Sequence, residues 1–170
     1  MRQAVRLTEH SGGCYEHVPP VLRLDFDHVI RDPLRELRVQ VGGGSIGRRV
    51  RAEVGPISMS PRKPGLPPRA LEVPVTWSAA EHPALFPILN GQLRIGDIGH
   101  DTIELRLTGE YTPPLGALGA IGDRLAGHQA ATVSLRAYLL EVAHRLDAKL
   151  AEHTLRLNPP PSTTPLERSS

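Results

Sequence analysis

The stretch IGDRLAGHQAATVSLRAYLLEVAHRL, residues 121–146, decides the fold. Its mostly apolar positions recur in alternating steps of four and three, which is the period of one face of an α-helix. That face is formed by Ile121, Leu125, His128, Thr132, Leu135, Leu139, Val142 and Leu146. The pattern begins near residue 118 and predicts one helix of about 30 residues, ~45 Å long, packed across another layer of structure.

Upstream of this helix, apolar and polar residues alternate, as they do in half-buried strands. The alternation covers residues 22–26, 50–54, 71–77, 93–95 and 103–111. One apolar and one polar face is typical of antiparallel sheets. The chain is therefore predicted to be an α+β domain, in which an antiparallel sheet packs against one long C-terminal helix.

The connections between these segments are also readable. Residues 31–41 predict a short helix beginning after Pro33, followed by a strand. The glycines of residues 42–47 predict a loop, as do the five prolines of residues 56–68.

The 170 residues are enough for one domain with one core. Residues 1–17 show no sustained period, and the chain's end is rich in Pro, Ser and Thr. We expect poorly ordered termini at 1–17 and 154–170, flanking a single domain at 18–153.

The charge balance argues against nucleic acid as a partner. Lys and Arg total 20 against 18 Asp and Glu, and the densest basic cluster (Arg48, Arg49, Arg51) has no interleaved aromatic residues. The first 14 residues carry Arg2 and Glu9 and no apolar run, so neither a signal peptide nor a membrane span is expected. A cytoplasmic monomer or homodimer is the default expectation.

Metal and cofactor chemistry finds no support in the sequence. The single cysteine, Cys14, excludes an intramolecular disulfide and a multi-cysteine zinc site. The histidines form no H-E-x-x-H motif. Asp25 and Asp27 share the polar face of a predicted strand, where a solvated surface is the simpler interpretation. No cofactor and no metal ion are predicted.

Residues 43–47, Gly-Gly-Ser-Ile-Gly, match the G-x-S-x-G nucleophile elbow of serine hydrolases. The elbow requires a strand before it and a helix after it, whereas the following RRVRAEV alternates like a strand. A phosphate loop is excluded because Arg48 and Arg49 stand where Lys and Ser/Thr are required. A hairpin loop explains the stretch better.

The helical stripe is polar in its middle, at His128 and Thr132. Buried polar groups need partners, so these side chains either meet the sheet or face a cavity. Small-molecule sites combine apolar walls with a few polar groups, and a cavity here would place Arg124 and Tyr138 near its rim. The candidate ligand-binding residues are Trp77, Phe86, Tyr111, Arg124, His128 and Thr132.

The C-terminal half resembles a known superfamily. VPVTW (73–77), HPALFPILNGQLRIGDIG (82–99) and TIELRLTGEYTPPLGALGAIGDRLAGH (102–128) precede the long helix. Their order, with the G-x-Y-x-P-P-x-G turn at Gly109–Gly116, resembles the helix-grip (SRPBCC) superfamily of START domains, Bet v 1-type allergens and polyketide cyclases.

The resemblance implies a curved antiparallel sheet wrapped around the C-terminal helix, with a deep apolar cavity between them. Relatives bind hydrophobic molecules, and some catalyse cyclisation or dehydration. The family's helical insert after the first strand would be shortened here to residues 28–45. No residue matches a catalytic motif of the family, which argues against enzymatic activity.

Three functions remain open from the sequence. The first is binding of a small hydrophobic ligand between the sheet and the helix. The second is a cyclase- or dehydratase-type enzyme of the same fold, with His128 as general acid or base because imidazole titrates near neutral pH. The third is a protein–protein interaction module that uses the outer face of the helix and the proline-rich loop.

Overall fold

The chain forms seven strands and three α-helices within the residues that the structure, a computed structural model, describes. These residues are 3–36, 38–41, 44–59, 70–79, 88–112 and 123–159, and side-chain surroundings are described for all of them except 3, 36–52, 79, 112 and 123–131. The elements are β1 (Gln3–Gly12), α1 (Val18–Phe26), α2 (Asp32–Glu36), β2 (Arg38–Val41), β3 (Gly44–Val54), β4 (Ser58–Met59), β5 (Ala70–Ala79), β6 (Ile88–Gly99), β7 (Thr102–Thr112) and α3 (Asp123–Leu157).

The strands form one antiparallel sheet in the order β1-β7-β6-β5-β3-β2, and β4 also pairs with β5. The four alternating segments after residue 49 are confirmed as parts of β3, β5, β6 and β7. The apolar side chains described for these segments lie on one face, the inner face, and join α3 and the α1–α2 segment in a single core. The predicted α+β helix-grip fold is confirmed.

The N-terminal residues depart from expectation. Residues 3–12 are not poorly ordered but form β1, which pairs with β7 along its whole length from Gln3 opposite Tyr111 to Gly12 opposite Thr102. The domain therefore begins well before residue 18. At its other end α3 continues past residue 153 to Leu157, and residues 160–170 lie outside the described part of the chain.

The predicted strand at 22–26 is wrong, because these residues belong to α1. Val18, Val21 and Leu22 are buried at helical spacing, and Leu24, which a strand would turn inward, is 72% exposed. Two prolines occupy the first helical turn, where a missing N–H costs nothing. Asp25 and Asp27 therefore do not share a strand face.

The helical insert is also longer and earlier than expected. A 3-10 turn (Tyr15–His17) precedes α1, and a π-helical turn (Asp27–Arg31) leads into α2. In the sequence, the insert thus occupies the connection between β1 and β2. It begins before residue 28, where it was expected to start. The short helix and strand predicted within 31–41 are confirmed as α2 and β2.

Helix α3 contains 35 residues, more than the 30 predicted. The C-terminal half of its predicted stripe is confirmed, because Leu135, Leu139, Val142 and Leu146 are fully buried. Each fully buried leucine contributes roughly 1.5–3 kcal/mol relative to an exposed one. Ile121 lies outside the described residues.

The glycine-rich stretch at 42–47 is mostly strand. β3 begins at Gly44 and pairs with β2, so Ser45 lies in a hairpin and not between a strand and a helix. This topology agrees with rejecting the nucleophile elbow. The proline-rich connection at 56–68 contains the short strand β4, and its remainder from residue 60 lies outside the described residues.

Two glycines allow β6 and β7 to approach closely. Gly91 and Gly109 are direct cross-strand partners on the inner face. A Cβ atom on Gly109 would lie 2.5 Å from the Asn90 carbonyl oxygen and 2.6 Å from the Gly91 Cα atom, distances that no side chain tolerates. Glycine at this point is therefore a steric requirement of the pairing.

Polar contacts fix the end of β1 to α3. The Ser11 hydroxyl donates to Asp147 Oδ1 at 2.5 Å, and the Gly12 amide donates to the same oxygen at 2.8 Å. Ser11 is 2% exposed, so its hydroxyl depends on this acceptor. Asp147 therefore holds the N-terminal strand and the C-terminal helix together.

Candidate functional site

The register of three strands brings two of the predicted site residues together. Trp77 on β5 lies opposite Leu89 on β6, and Leu89 lies opposite Tyr111 on β7. All three side chains are buried on the inner face. With adjacent strands about 4.8 Å apart, Trp77 and Tyr111 are separated by roughly 10 Å across the sheet. We call these three residues the aromatic row.

The next row along the sheet lacks side chains at its centre. Val75 lies opposite Gly91, which lies opposite Gly109, and Val5 of β1 completes the row. The inner face therefore has two adjacent positions without a side chain beside the aromatic row.

The indole of Trp77 adds a polar requirement. Trp77 is 2% exposed, and its Nε1 is buried with no hydrogen-bond acceptor among the described residues. Buried indole N–H groups ordinarily find a partner, and leaving one unsatisfied costs about 1–3 kcal/mol. An acceptor at this position would improve the stability of the site.

The N-terminal half of α3 carries the polar positions of the predicted stripe. Thr132 is half-buried, in contrast to the fully buried Leu135 and Leu139 that follow it on the same helical face. His128 and Arg124 belong to α3, but their side chains lie outside the described part, and Phe86 is also outside it. Their roles as ligand contacts, and that of His128 as acid or base, stay predictions.

Tyr138 does not lie at a rim, contrary to expectation. Its side chain is 1% exposed, and its hydroxyl donates to the Ile30 carbonyl oxygen at 3.4 Å. Because residues 22–26 were predicted to form a strand, the helical segment that continues from them and covers Tyr138 was not anticipated. Tyr138 is therefore part of the packing between α3 and the π-helical turn.

Burial raises the pKa of Tyr138 and, to a smaller degree, that of Tyr111 above the ordinary value of 10.0. The neutral phenol is thus favoured in the folded state, so this contribution to stability is complete below pH 10 and is lost as the pH rises further. We expect the free energy of unfolding to fall above pH 10, and to fall less steeply in a Tyr138→Phe variant. Urea denaturation at several alkaline pH values measures this, and equal slopes in the two proteins would contradict it.

A cleft at another place in the fold was not anticipated from the sequence. It is an open cleft of about 250 Å³ lined by Arg31, Arg35, Glu53 and Val54, between the helical insert and the end of β3. Arg31 pairs with Asp27 at 2.8 Å, and Arg35 lies 3.7 Å from Asp32. Because both guanidinium groups have carboxylate partners within the chain, the cleft does not by itself indicate an anion site.

Neither a metal-ligand cluster nor a membrane-spanning helix is found among the described residues. They contain no group of three or more His, Cys, Asp or Glu side chains placed to hold a metal ion. None of their helices is both long enough and apolar enough to cross a bilayer.

No family model matches the chain, and no curated protein matches it. Similar solved structures include a conserved protein from Geobacillus kaustophilus, with 15% identity and a TM-score of 0.48 over 86% of this chain and 96% of that one. Norcoclaurine synthase from Thalictrum flavum has 13% identity and a TM-score of 0.46 over 86% and 87% of the two chains. An aromatase/cyclase from a Streptomyces species has 14% identity and a TM-score of 0.43 over 94% and 98%.

At these identities and TM-scores, the similar structures carry no argument about binding or chemistry. The fold is established by this chain's own geometry, in which β1 pairs with β7 at one edge and α3 packs on the inner face of the sheet. The chain has the helix-grip architecture.

Proposed function

We propose that the protein binds a small hydrophobic molecule between the aromatic row and the N-terminal half of α3. The buried Trp77 Nε1, which has no acceptor among the described residues, is the observation that carries this proposal. A ligand with a carbonyl, ether or hydroxyl oxygen would accept this hydrogen bond while its apolar body lies over Gly91 and Gly109.

The surrounding side chains support an apolar ligand. Leu89, Leu93 and Leu107 are fully buried on the same face, and Val75 lines the row that contains the two glycines. Apolar walls with one or two directed polar groups are typical of small-molecule sites. Thr132 would contribute a second polar contact from the helix.

Trp77 is the only tryptophan of the chain, so its fluorescence reports on the site without interference. The amphipathic dye 1-anilinonaphthalene-8-sulfonate, whose aromatic rings are apolar, is expected to bind saturably to the native protein and to quench Trp77 emission by energy transfer. Thr132→Phe would fill the space beside the row and weaken dye binding at least about tenfold, a loss of ~1.4 kcal/mol.

The matched control is Val133→Phe, because Val133 adjoins Thr132 but is 66% exposed on the outer side of α3. This variant should keep the affinity of the wild-type protein. Circular dichroism and cooperative thermal unfolding must show that both variants are folded, since the dye also binds loosely packed states. Absence of saturable binding, or equal effects of the two substitutions, would refute the proposal.

A further inference from the structure

The outer side of α3 carries a second apolar stripe, opposite to the one that packs on the sheet. All of its members are exposed, and the large ones strongly so, with Val133 at 66%, Leu140 at 49% and Leu155 at 63%. The outer stripe consists of Val133, Ala137, Leu140, His144, Ala148, Ala151 and Leu155.

The spacing of the outer stripe is regular. Its steps are 4, 3, 4, 4, 3 and 4, so the pattern from Val133 to His144 repeats from His144 to Leu155 after eleven residues. An eleven-residue repeat corresponds to 3.67 residues per turn, close to the 3.6 of a straight helix. The stripe therefore runs almost parallel to the helix axis for about 33 Å and forms one continuous surface along the helix.

The outer stripe also matches itself when reversed. His144 stands at its midpoint, and a two-fold axis there would place Val133 of one copy against Leu155 of the other. The same axis places Ala137 against Ala151, and Leu140 against Ala148. Large residues thus meet at the ends, and a leucine meets an alanine near the centre, which lets two helix backbones approach closely. A two-fold interface requires this kind of self-complementary surface.

The flanking charges fit the same arrangement. The outer stripe contains no Asp, Glu, Lys or Arg. Glu141 lies at the margin of the stripe, and its carboxylate pairs with Arg145 of the same chain at 2.7 Å. This negative charge is therefore compensated within each copy and does not oppose the approach of a second one.

We propose that the outer stripe is a homodimer interface, in which two copies of α3 pack antiparallel about a two-fold axis at His144. The stripe points away from the sheet, so this inference is independent of the proposed ligand site. A single helix pair buries an area at the low end of specific interfaces, and a dissociation constant in the micromolar range, roughly 1–100 µM, is expected.

Sedimentation equilibrium over a concentration series from roughly 1 µM to 500 µM tests the association, because that range brackets the expected dissociation constant. The wild-type protein should shift from monomer to dimer, and Leu140→Glu should raise the dissociation constant at least about tenfold. Leu24→Glu is the control, since Leu24 is 72% exposed on α1 and lies outside the stripe. A wild-type protein that stays monomeric throughout, or equal effects of the two substitutions, would overturn the proposal.

Cysteine cross-linking tests the geometry. In a Cys14→Ser background, His144→Cys should form an intermolecular disulfide under mild oxidation, because residue 144 meets its own copy at the axis. Ala137→Cys alone should not, since the two copies of residue 137 would lie about 21 Å apart along the helices. A mixture of Ala137→Cys and Ala151→Cys chains should cross-link. Efficient cross-linking of Ala137→Cys alone would exclude the antiparallel arrangement.

Discussion

Replacing Gly109 by alanine is expected to lower the free energy of unfolding by about 3 kcal/mol or more, or to prevent folding. The new Cβ atom would lie 2.5 Å from the Asn90 carbonyl oxygen and 2.6 Å from the Gly91 Cα atom. Both atoms belong to the backbone of β6, so no side-chain rotation relieves the clash. β6 and β7 would have to separate.

Two other glycines make this prediction specific. Gly12 also lies in a strand, but a Cβ atom there would have no neighbour within 4 Å, and Gly12→Ala should leave stability unchanged or raise it by about 0.5 kcal/mol. Gly91→Ala should fall between the two, because its Cβ atom would be 3.0 Å from the Thr108 carbonyl oxygen. Urea denaturation followed by circular dichroism gives all three values. If Gly109→Ala proved as stable as Gly12→Ala, the close approach of β6 and β7 would be incorrect.

Removing the Asp147 carboxylate is expected to cost about 2–3 kcal/mol, because Asp147→Ala leaves two donors without their acceptor. The Ser11 hydroxyl is the more costly of the two, since Ser11 is 2% exposed and water cannot replace the lost oxygen. The Gly12 amide loses its bond at the same time. Chemical denaturation measures the overall loss, and hydrogen exchange of the Gly12 amide should accelerate.

Glu152 provides the comparison on the same helix. It pairs with Lys149 at 3.0 Å and with Arg156, but these contacts are at the surface, where ion pairs contribute little. Glu152→Ala should therefore leave the denaturation midpoint unchanged. A double-mutant cycle between Ser11→Ala and Asp147→Ala isolates their coupling. If Asp147→Ala behaved like Glu152→Ala, the carboxylate would have no structural role.

Much of the fold was predictable because most elements have one clear period. The stripe of α3 and the alternation in β5, β6 and β7 follow from simple burial on one side. The segment at 22–26 fits two periods at once, since Leu22, Leu24 and Phe26 alternate while Val18, Val21 and Leu22 have helical spacing. The packing of α1 in the core decides between them, and local sequence does not contain that information.

β1 was missed for a different reason. Its inward positions include Glu9 and Ser11, which break the apolar alternation begun by Val5 and Leu7. Both polar residues find their partners on α3, with Arg136 lying 3.3 Å from Glu9 and Asp147 accepting from Ser11. The inner face of β1 can therefore carry polar residues because distant parts of the chain supply their partners. The local sequence does not contain this information.

The candidate site was predictable in part. The aromatic character of Trp77 and Tyr111 suggested that they share a wall, and the strand register places them in one row. The two adjacent glycines next to that row were not foreseen, because their pairing depends on the register of β6 against β7. The buried indole nitrogen, which has no acceptor among the described residues, likewise emerges only from three-dimensional packing.

The position of β1 has a consequence for how the chain reaches its native state. Leu7 lies opposite Leu107, one hundred positions later, and Asp147 binds the Ser11 hydroxyl from farther still along the chain. Closing so large a loop is entropically costly, and contacts of this range slow folding. On the ribosome, β1 is synthesised before these partners and must therefore wait for β7 and most of α3 to emerge. Until then its hydrogen-bonding edge lacks its native partner, which exposes this strand to aggregation during synthesis.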